Sequence, residues 1–285
     1  MQTRAASQIG AGTQNTAAGQ SVIEIAEVHK RFPDGTVALD GVNLSVRAGE
    51  FVSLVGPSGC GKSTLLRILA GLDSASSGRA LLNGHAPSDP QARQEMAFVF
   101  QEPTLMPWKS VLDNVALPLE LRGVAVTERR ARAAESLELV GLSGRERAYP
   151  RELSGGMKMR VSIARALVTN PQIMLMDEPF GALDEMTRQR LNDELLAIQS
   201  RTGATVVFVT HNMFEAVYLS SRIVVMTPHP GRVAAVLDVP EPFPRSAAFR
   251  ASETYGKLVY QVLQILEGRP SAPPVPGSLG EGVPA

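Results

Sequence analysis

Eight consecutive residues, Gly56-Pro57-Ser58-Gly59-Cys60-Gly61-Lys62-Ser63, bring together the groups a polyphosphate requires. Glycines let successive backbone N–H groups turn inward, a lysine supplies a mobile cation, and a serine hydroxyl can ligate a hard metal ion. The apolar run FVSLV precedes the loop and TLLRILA follows it, from Thr64 onward. That context sets the loop between a buried strand and the N-terminus of a helix, whose partial positive charge adds to the attraction. The spacing is G-x-x-x-x-G-K-[ST], the Walker A phosphate loop. Lys62 is then expected at the β- and γ-phosphates and Ser63 on Mg²⁺, with Gly56, Pro57, Ser58, Gly59, Cys60, Gly61 and Thr64 completing the nucleotide contacts. The competing interpretation is a glycine-rich turn with no ligand, against which stand the lysine and serine in register and the correct flanks. For Cys60 the favoured role is a small residue that fits, and the alternative is a thiolate stabilised by the helix N-terminus.

Three further apolar runs end in polar residues of the types that phosphoryl transfer uses. IMLMDEP ends on Asp177-Glu178, ATVVFVTH on His211 and AFVFQ on Gln101. Open parallel sheets bind ligands at the carboxyl ends of their strands. The reaction needs a metal, an oriented water and positive charge about the γ-phosphate. Asp177 suits the metal shell. Glu178, expected to point elsewhere because neighbours on a strand alternate, suits polarising the attacking water. His211 is expected to hold the γ-phosphate and orient that water, and Gln101 to meet metal and water. Each has an ordinary explanation alone: a histidine after a strand is more often a surface residue, and DEP opens many turns. Their weight comes from occurring together with the phosphate loop.

A second anion-binding pattern lies nearly a hundred residues downstream, in LSGGMKMRVSIARALV. Ser154 is a good helix N-cap, and Gly155-Gly156 lets backbone approach a ligand closely. Met157, Val161, Ala164 and Val168 fall on one helical face. Taken alone this is an ordinary capped helix.

The elements that must hold these groups alternate between strand and helix. VIEIAEVHKRF and VALDGVNLSV alternate as half-buried strands do, whereas FVSLV, IMLMD and ATVVFVT are continuous apolar runs suited to a parallel sheet covered on both faces. STLLRILAGL is expected to be a helix closed by Gly71, MAFVFQ a strand, and residues 110–148 mostly helical with a break around Pro118 and Gly123. NMFEAVYLSSRI is expected to be a helix, and IVVMTP and RVAAVLDV late strands. The fold class is therefore α/β, a P-loop NTPase with a parallel-sheet core, an N-terminal antiparallel β subdomain and an inserted helical subdomain at about 102–165. Residues 1–20 are expected to be a disordered tail, 21–240 the main domain, 241–267 a helical extension and 268–285 a Pro/Gly-rich tail.

Composition narrows the classes. In 285 residues, 28 basic and 28 acidic side chains balance to a net charge of zero, which argues against a dedicated nucleic-acid binder. The single cysteine excludes an intramolecular disulfide and fits a reducing compartment. No segment reads as a secretory signal or a membrane span.

The order Phe32, phosphate loop, Gln101, LSGGM, IMLMDEP, GALD and His211, over roughly residues 22–240, resembles the nucleotide-binding subunits of ATP-binding cassette (ABC) transporters. The resemblance implies that LSGGM is the signature motif. Ser154, Gly155 and Gly156 then face the γ-phosphate of ATP held by a second copy, and two ATP molecules are sandwiched in a head-to-tail dimer. Phe32 matches the aromatic that stacks on adenine, its alternative being an edge-strand aromatic. Asp184, at the end of GALD, matches the loop that touches the partner across the dimer. The sequence departs from the family pattern at Met157, where glutamine is usual, and at Gly181, where serine is usual.

QEPTLMPWKSVLDNVALPLELRG, DEPFGALDEMTRQRL and MTPHPGRV look like the bacterial nitrate/sulfonate/taurine-type importers. That likeness implies a peripheral protein on the cytoplasmic face of the inner membrane, a permease partner and, indirectly, a secreted solute-binding protein. The segment after Gln101 would meet the permease, with Trp108 as its main contact; Val111, Leu112 and Val115 serve either that groove or the core. Other readings are a soluble cassette protein acting on ribosomes or DNA, an exporter subunit, and a regulator that does not hydrolyse ATP. The first usually carries two cassettes or a long coiled-coil insertion, neither seen here. Importer-like segments disfavour the second, and Glu178 the third.

Overall fold

The computed structural model describes residues 21–268. The expected tails at 1–20 and 268–285 lie outside the described residues, Gly268 excepted. In chain order the elements begin with β1 (Ser21–Arg31), β2 (Val37–Arg47), β3 (Phe51–Val55), α1 (Lys62–Leu69), β4 (Ser77–Leu82), α2 (Pro90–Glu95) and β5 (Met96–Val99). Three helices follow, α3 (Val111–Leu121), α4 (Val126–Leu139) and α5 (Gly155–Leu167). The chain then runs through β6 (Ile173–Asp177), α6 (Glu185–Thr202), β7 (Thr205–Thr210), α7 (Met213–Leu219), β8 (Arg222–Met226), β9 (Val233–Asp238), α8 (Ala247–Arg250) and α9 (Glu253–Leu266).

The central sheet has the order β5-β6-β7-β3-β8-β9, parallel throughout except for β9, which runs antiparallel to β8. β3, β6 and β7 are buried along their whole length, as their continuous apolar runs require. Their pleat feeds two cores. Phe51, Val55, Val206 and Phe208 face one, and Val52, Leu54, Val207 and Val209 the other. On the first face Phe208 lies 5.9 Å from Phe51 and 5.8 Å from Phe180, ring centre to ring centre. A separate antiparallel sheet, β2-β1-β4, packs over the second core, which Val22, Ile23, Val28, Leu39, Val42 and Val46 help to build.

Three sequence expectations are corrected in detail, and one left open between groove and core is resolved. Pro118 does not break the 110–148 region: α3 runs through it to Leu121, held by the buried face of Val115, Ala116 and Leu119, and the turn falls at Gly123 with φ +74°. The helix expected over NMFEAVYLSSRI stops at Leu219, and Arg222 already belongs to β8. Arg245 ends it: its guanidinium, buried among Phe243 and Phe249, donates to the carbonyls of Val217, Tyr218 and Ser220. β5 ends at Val99, so Gln101 lies two residues beyond it. Val111 and Val115 are fully buried and belong to the core, while Trp108 is 72% exposed. The sequence reading also does not single out β4, α2 or the 18-residue α6.

Candidate active site

The phosphate loop is shaped by what crowds it. Gly56 follows β3, and a Cβ there would sit 2.6 Å from Cys60 Sγ and 2.8 Å from the Met226 carbonyl. Gly61 has φ +94° and abuts Leu39 and the Ala38 carbonyl. Being a glycine, this N-cap gives α1 no side-chain acceptor. α3, α5, α6, α7 and α9 differ, since Ser110, Ser154, Asp184, Asn212 and Ser252 accept bonds from their first turns. The N–H groups at the start of α1 are therefore left for an anion. Lys62 is 4% exposed, and its Nζ donates to the carbonyls of Gly56 at 2.7 Å and Pro57 at 3.0 Å. Pro57, Ser58 and Gly59 form the exposed rim, and Ser63 and Thr64 are half-buried. Cys60 is wholly buried beneath the loop. Of its two readings, the space-filling one fits a side chain with no exposed surface.

Ser63 Oγ donates to Asp177 Oδ1 at 2.7 Å. Asp177 closes β6 at 8% exposure, and burial pushes its carboxyl above the usual range. Glu178 does turn away from Asp177, but the expected cause is corrected. Strand alternation is not responsible, because β6 has ended and Glu178 takes a left-handed backbone, φ +44°. For a non-glycine residue that conformation costs roughly 1–3 kcal/mol. The Glu178 N–H donating to the Val209 carbonyl at 2.9 Å, and the Gly181 N–H donating to the Glu178 carbonyl at 3.1 Å, hold it. The strained turn delivers Glu178 Oε2 to 2.8 Å from Nδ1 of His211, the residue that follows β7. Gln101 is exposed at the same sheet end, just past β5, whose Val99 is paired with Met176.

Phe32 stands at the β1–β2 turn under Lys30, whose Nζ is 5.1 Å from the ring centre. It lines a cleft of about 500 Å³ with His29, Val37, Leu39 and Asp40. Leu39 also touches Gly61, so the cleft borders the phosphate loop. The β8–β9 turn backs the loop from the other side, a role the sequence reading leaves unassigned. There the Gly231 N–H donates to Ala38, the Gly231 carbonyl accepts from Asp40, and a Cβ on Gly231 would lie 2.2 Å from the Cys60 carbonyl. Gly231 between two apolar strands was the available signal.

The second glycine motif is not gathered into this site. α1 packs against β2, β4, β6 and β7, whereas α5 packs against α3, α4 and β5. Ser154 caps α5 by accepting from the Met157 N–H at 3.3 Å, and both Ser154 and Gly155 are exposed. Met157 is half-buried against the core. Asp184 caps α6, accepting from the Thr187 N–H at 3.0 Å; that bond holds its carboxyl below the usual range.

A family profile described as ABC transporter matches residues 39–181. The aliphatic sulfonates import ATP-binding protein SsuB of Bacillus cereus is 44% identical over 248 residues, covering 86% of this chain and 96% of that protein. The chain belongs to the ABC transporter family. The taurine import ATP-binding protein TauB of Rhizobium johnstonii is 52% identical to this cassette over 202 residues, 71% of this chain and 76% of that protein. A dimeric structure of the ATP-binding cassette MJ0796, in a post-hydrolysis state bound to ADP and Pi, is similar to it at TM-score 0.69 and 35% identity, over 77% of this chain and all of that one. Among the described residues, no helix of this cassette is long and apolar enough to cross a membrane.

Proposed function

We propose that this cassette is the ATP-hydrolysing, energy-coupling subunit of an importer for a small solute, a sulfonate or taurine before others such as nitrate. The observation that carries hydrolysis is the Glu178–His211 contact at 2.8 Å beside the phosphate loop. A carboxylate so placed accepts a proton from water, while His211 keeps it aimed and offers its other ring nitrogen to the γ-phosphate. Lys62 exchanges its loop carbonyls for phosphate oxygens as the N–H groups of the loop bind the β-phosphate. Phe32 and its cleft take the adenine.

The donor set fits Mg²⁺. Ser63 and Asp177 present hard oxygens in contact, and a cation there would offset the cost that burial places on the Asp177 carboxylate. Among the described residues no group of three or more His, Cys, Asp and Glu gathers, which suits a metal completed by nucleotide oxygens and water. Ser63, Asp177 and Gln101 would hold it, and when bound it would neutralise charge on the phosphates.

Ser154, Gly155 and Gly156 are read as one half of a composite site, facing the nucleotide of a second copy, with Asp184 at the copy-to-copy contact. Residues 102–165 form the lever that meets a permease at the cytoplasmic face of the membrane, with exposed Trp108 in its surface. A secreted solute-binding protein delivers the solute. Uptake of labelled taurine and of an alkanesulfonate, measured with and without the gene, tests this reading. Loss of uptake, restored by the wild-type gene but not by K62A, is expected; undiminished uptake of both solutes overturns the solute assignment.

A further inference from the structure

Glu178 and His211 follow different strands, and after each the chain enters a different helix. Residues 178–184 lead into α6, and His211 leads into α7. Each helix has its own cap, Asp184 or Asn212, and neither cap reaches across. Arg188 does. It lies at the start of α6, 18% exposed as a side chain, and points back toward the helix N-terminus as helical side chains do. One guanidinium nitrogen, Nη2, donates to the Leu183 carbonyl at 2.8 Å, and Nε donates to the Phe180 carbonyl at 3.4 Å. Both carbonyls belong to the loop that Glu178 begins.

The same Nε lies 3.6 Å from Oε1 of Glu215, on α7. Glu215 is 5% exposed, and among the described residues its Oε1 has no hydrogen-bond partner, so Arg188 is the cation that faces it. The other oxygen, Oε2, accepts from Thr210 Oγ1 at 2.6 Å. Thr210 Oγ1 in turn accepts from the Asn212 N–H at 2.9 Å. Thr210 and Asn212 are the residues on either side of His211. Arg188, whose Nη1 also donates to Glu185 Oε2 at 2.9 Å, and Glu215 thus connect the carbonyls behind Glu178 to the backbone that brackets His211.

We infer that Arg188 and Glu215 are a positioning pair for hydrolysis: neither touches nucleotide, and together they fix the distance between the Glu178 loop and the His211 turn. The inference rests on Glu178 and His211 being the hydrolytic pair. A second link between α6 and α7 gives a control of the same kind farther along the helices, where Tyr218 Oη donates to Asp193 Oδ1 at 2.7 Å.

The test is steady-state ATPase on the full chain with R188M, R188K, E215Q, the R188M/E215Q double variant and Y218F, together with ATP binding and melting temperature. R188M and E215Q are each expected to lower kcat by about 10-fold or more while KM for ATP stays within about 2-fold. The double variant should be no slower than the worse single one, since the two act as a unit. R188K keeps the charge without the fork and should lose most of the same activity. Y218F should melt lower yet keep kcat. Wild-type kcat in R188M or R188K, multiplying losses in the double variant, or an equal kcat loss in Y218F each overturns the inference. E178Q separates the two readings: an active E178Q refutes the hydrolytic pair itself, whereas an inactive E178Q beside a fully active R188M refutes only the positioning role.

Discussion

Ser63 and Asp177, 114 positions apart, meet at 2.7 Å where the first turn of α1 crosses the end of β6. The hydroxyl is the donor, and the carboxyl it meets is pushed upward by burial before any other influence. A carboxyl whose folded pKa is raised destabilises the fold as pH climbs through the ordinary carboxylate range, because the unfolded chain ionises first. D177N keeps an oxygen for Ser63 and removes the charge. In metal-free, nucleotide-free buffer it should therefore melt above wild type at pH 7, with the gap closing as pH falls below about 4. Thermal melts across pH check this. A D177N protein melting below wild type at pH 7 contradicts it.

The Glu178–His211 pair makes a kinetic forecast. E178Q preserves shape at the strained turn but cannot take a proton, so steady-state phosphate release should fall by about 10²–10⁴-fold. ATP binding depends on other residues and should persist. With hydrolysis blocked, ATP should accumulate a two-copy species, visible by light scattering. H211A should lose turnover to a similar degree, and the double variant little more, since the two residues work as one unit. A double variant slowed by the product of both losses would mean they act separately.

Much of this site was legible in sequence because its residue types are unusual in their positions. Gly56–Ser63, Asp177-Glu178 and His211 each interrupt an apolar run, and burying those runs in one parallel sheet forces their ends together. Less legible was anything set by a single backbone torsion or a long side chain. Strand periodicity puts Glu178 on the opposite face from Asp177, yet a left-handed φ after the strand is what aims it. Arg188 and Arg245 look like ordinary surface arginines in sequence, and only the folded chain shows that carbonyls from other segments converge on them. Pro118 misled for a related reason, since packing of α3 outweighs one missing helical bond.

Gly155 and Gly156 should separate under the same substitution. A Cβ on Gly156 would meet Thr187 Cγ2 at 2.9 Å, so packing of α5 on α6 accounts for that glycine within one chain. A Cβ on Gly155 would meet only Leu183 Cδ2 at 3.7 Å, an ordinary contact. Alanine also favours helix over glycine by up to about 1 kcal/mol. G155A should therefore melt at or above wild type, whereas G156A should lose about 1–3 kcal/mol to overpacking, less that gain. If Gly155 serves close approach by a second copy, G155A should nonetheless hydrolyse ATP several-fold more slowly at low protein concentration. Urea titrations with paired ATPase measurements decide; a G155A protein as active as wild type at every concentration removes the need for close approach at this position.

Arg245 tests whether the C-terminal helices are part of the cassette's stability. Its guanidinium is pulled down to about 10 by burial, and it donates at 2.6–2.7 Å to three carbonyls where α7 ends. Phe243 and Phe249 lie 4.5 and 5.1 Å from it, ring centre to guanidinium. R245M fills much of the same volume but strands those carbonyls away from water, and each stranded acceptor costs about 1–3 kcal/mol. Relaxation and entering water recover part of that sum, so a loss of about 3 kcal/mol is expected, read as a fall in the urea midpoint with little change in slope. His211 precedes α7 whereas Arg245 binds carbonyls at its far end, so the folded fraction of R245M should still hydrolyse ATP near the wild-type rate. A midpoint within error of wild type would mean that the carbonyls find other donors. A collapse of turnover in fully folded R245M would mean that the end of α7 reaches the chemistry at its beginning.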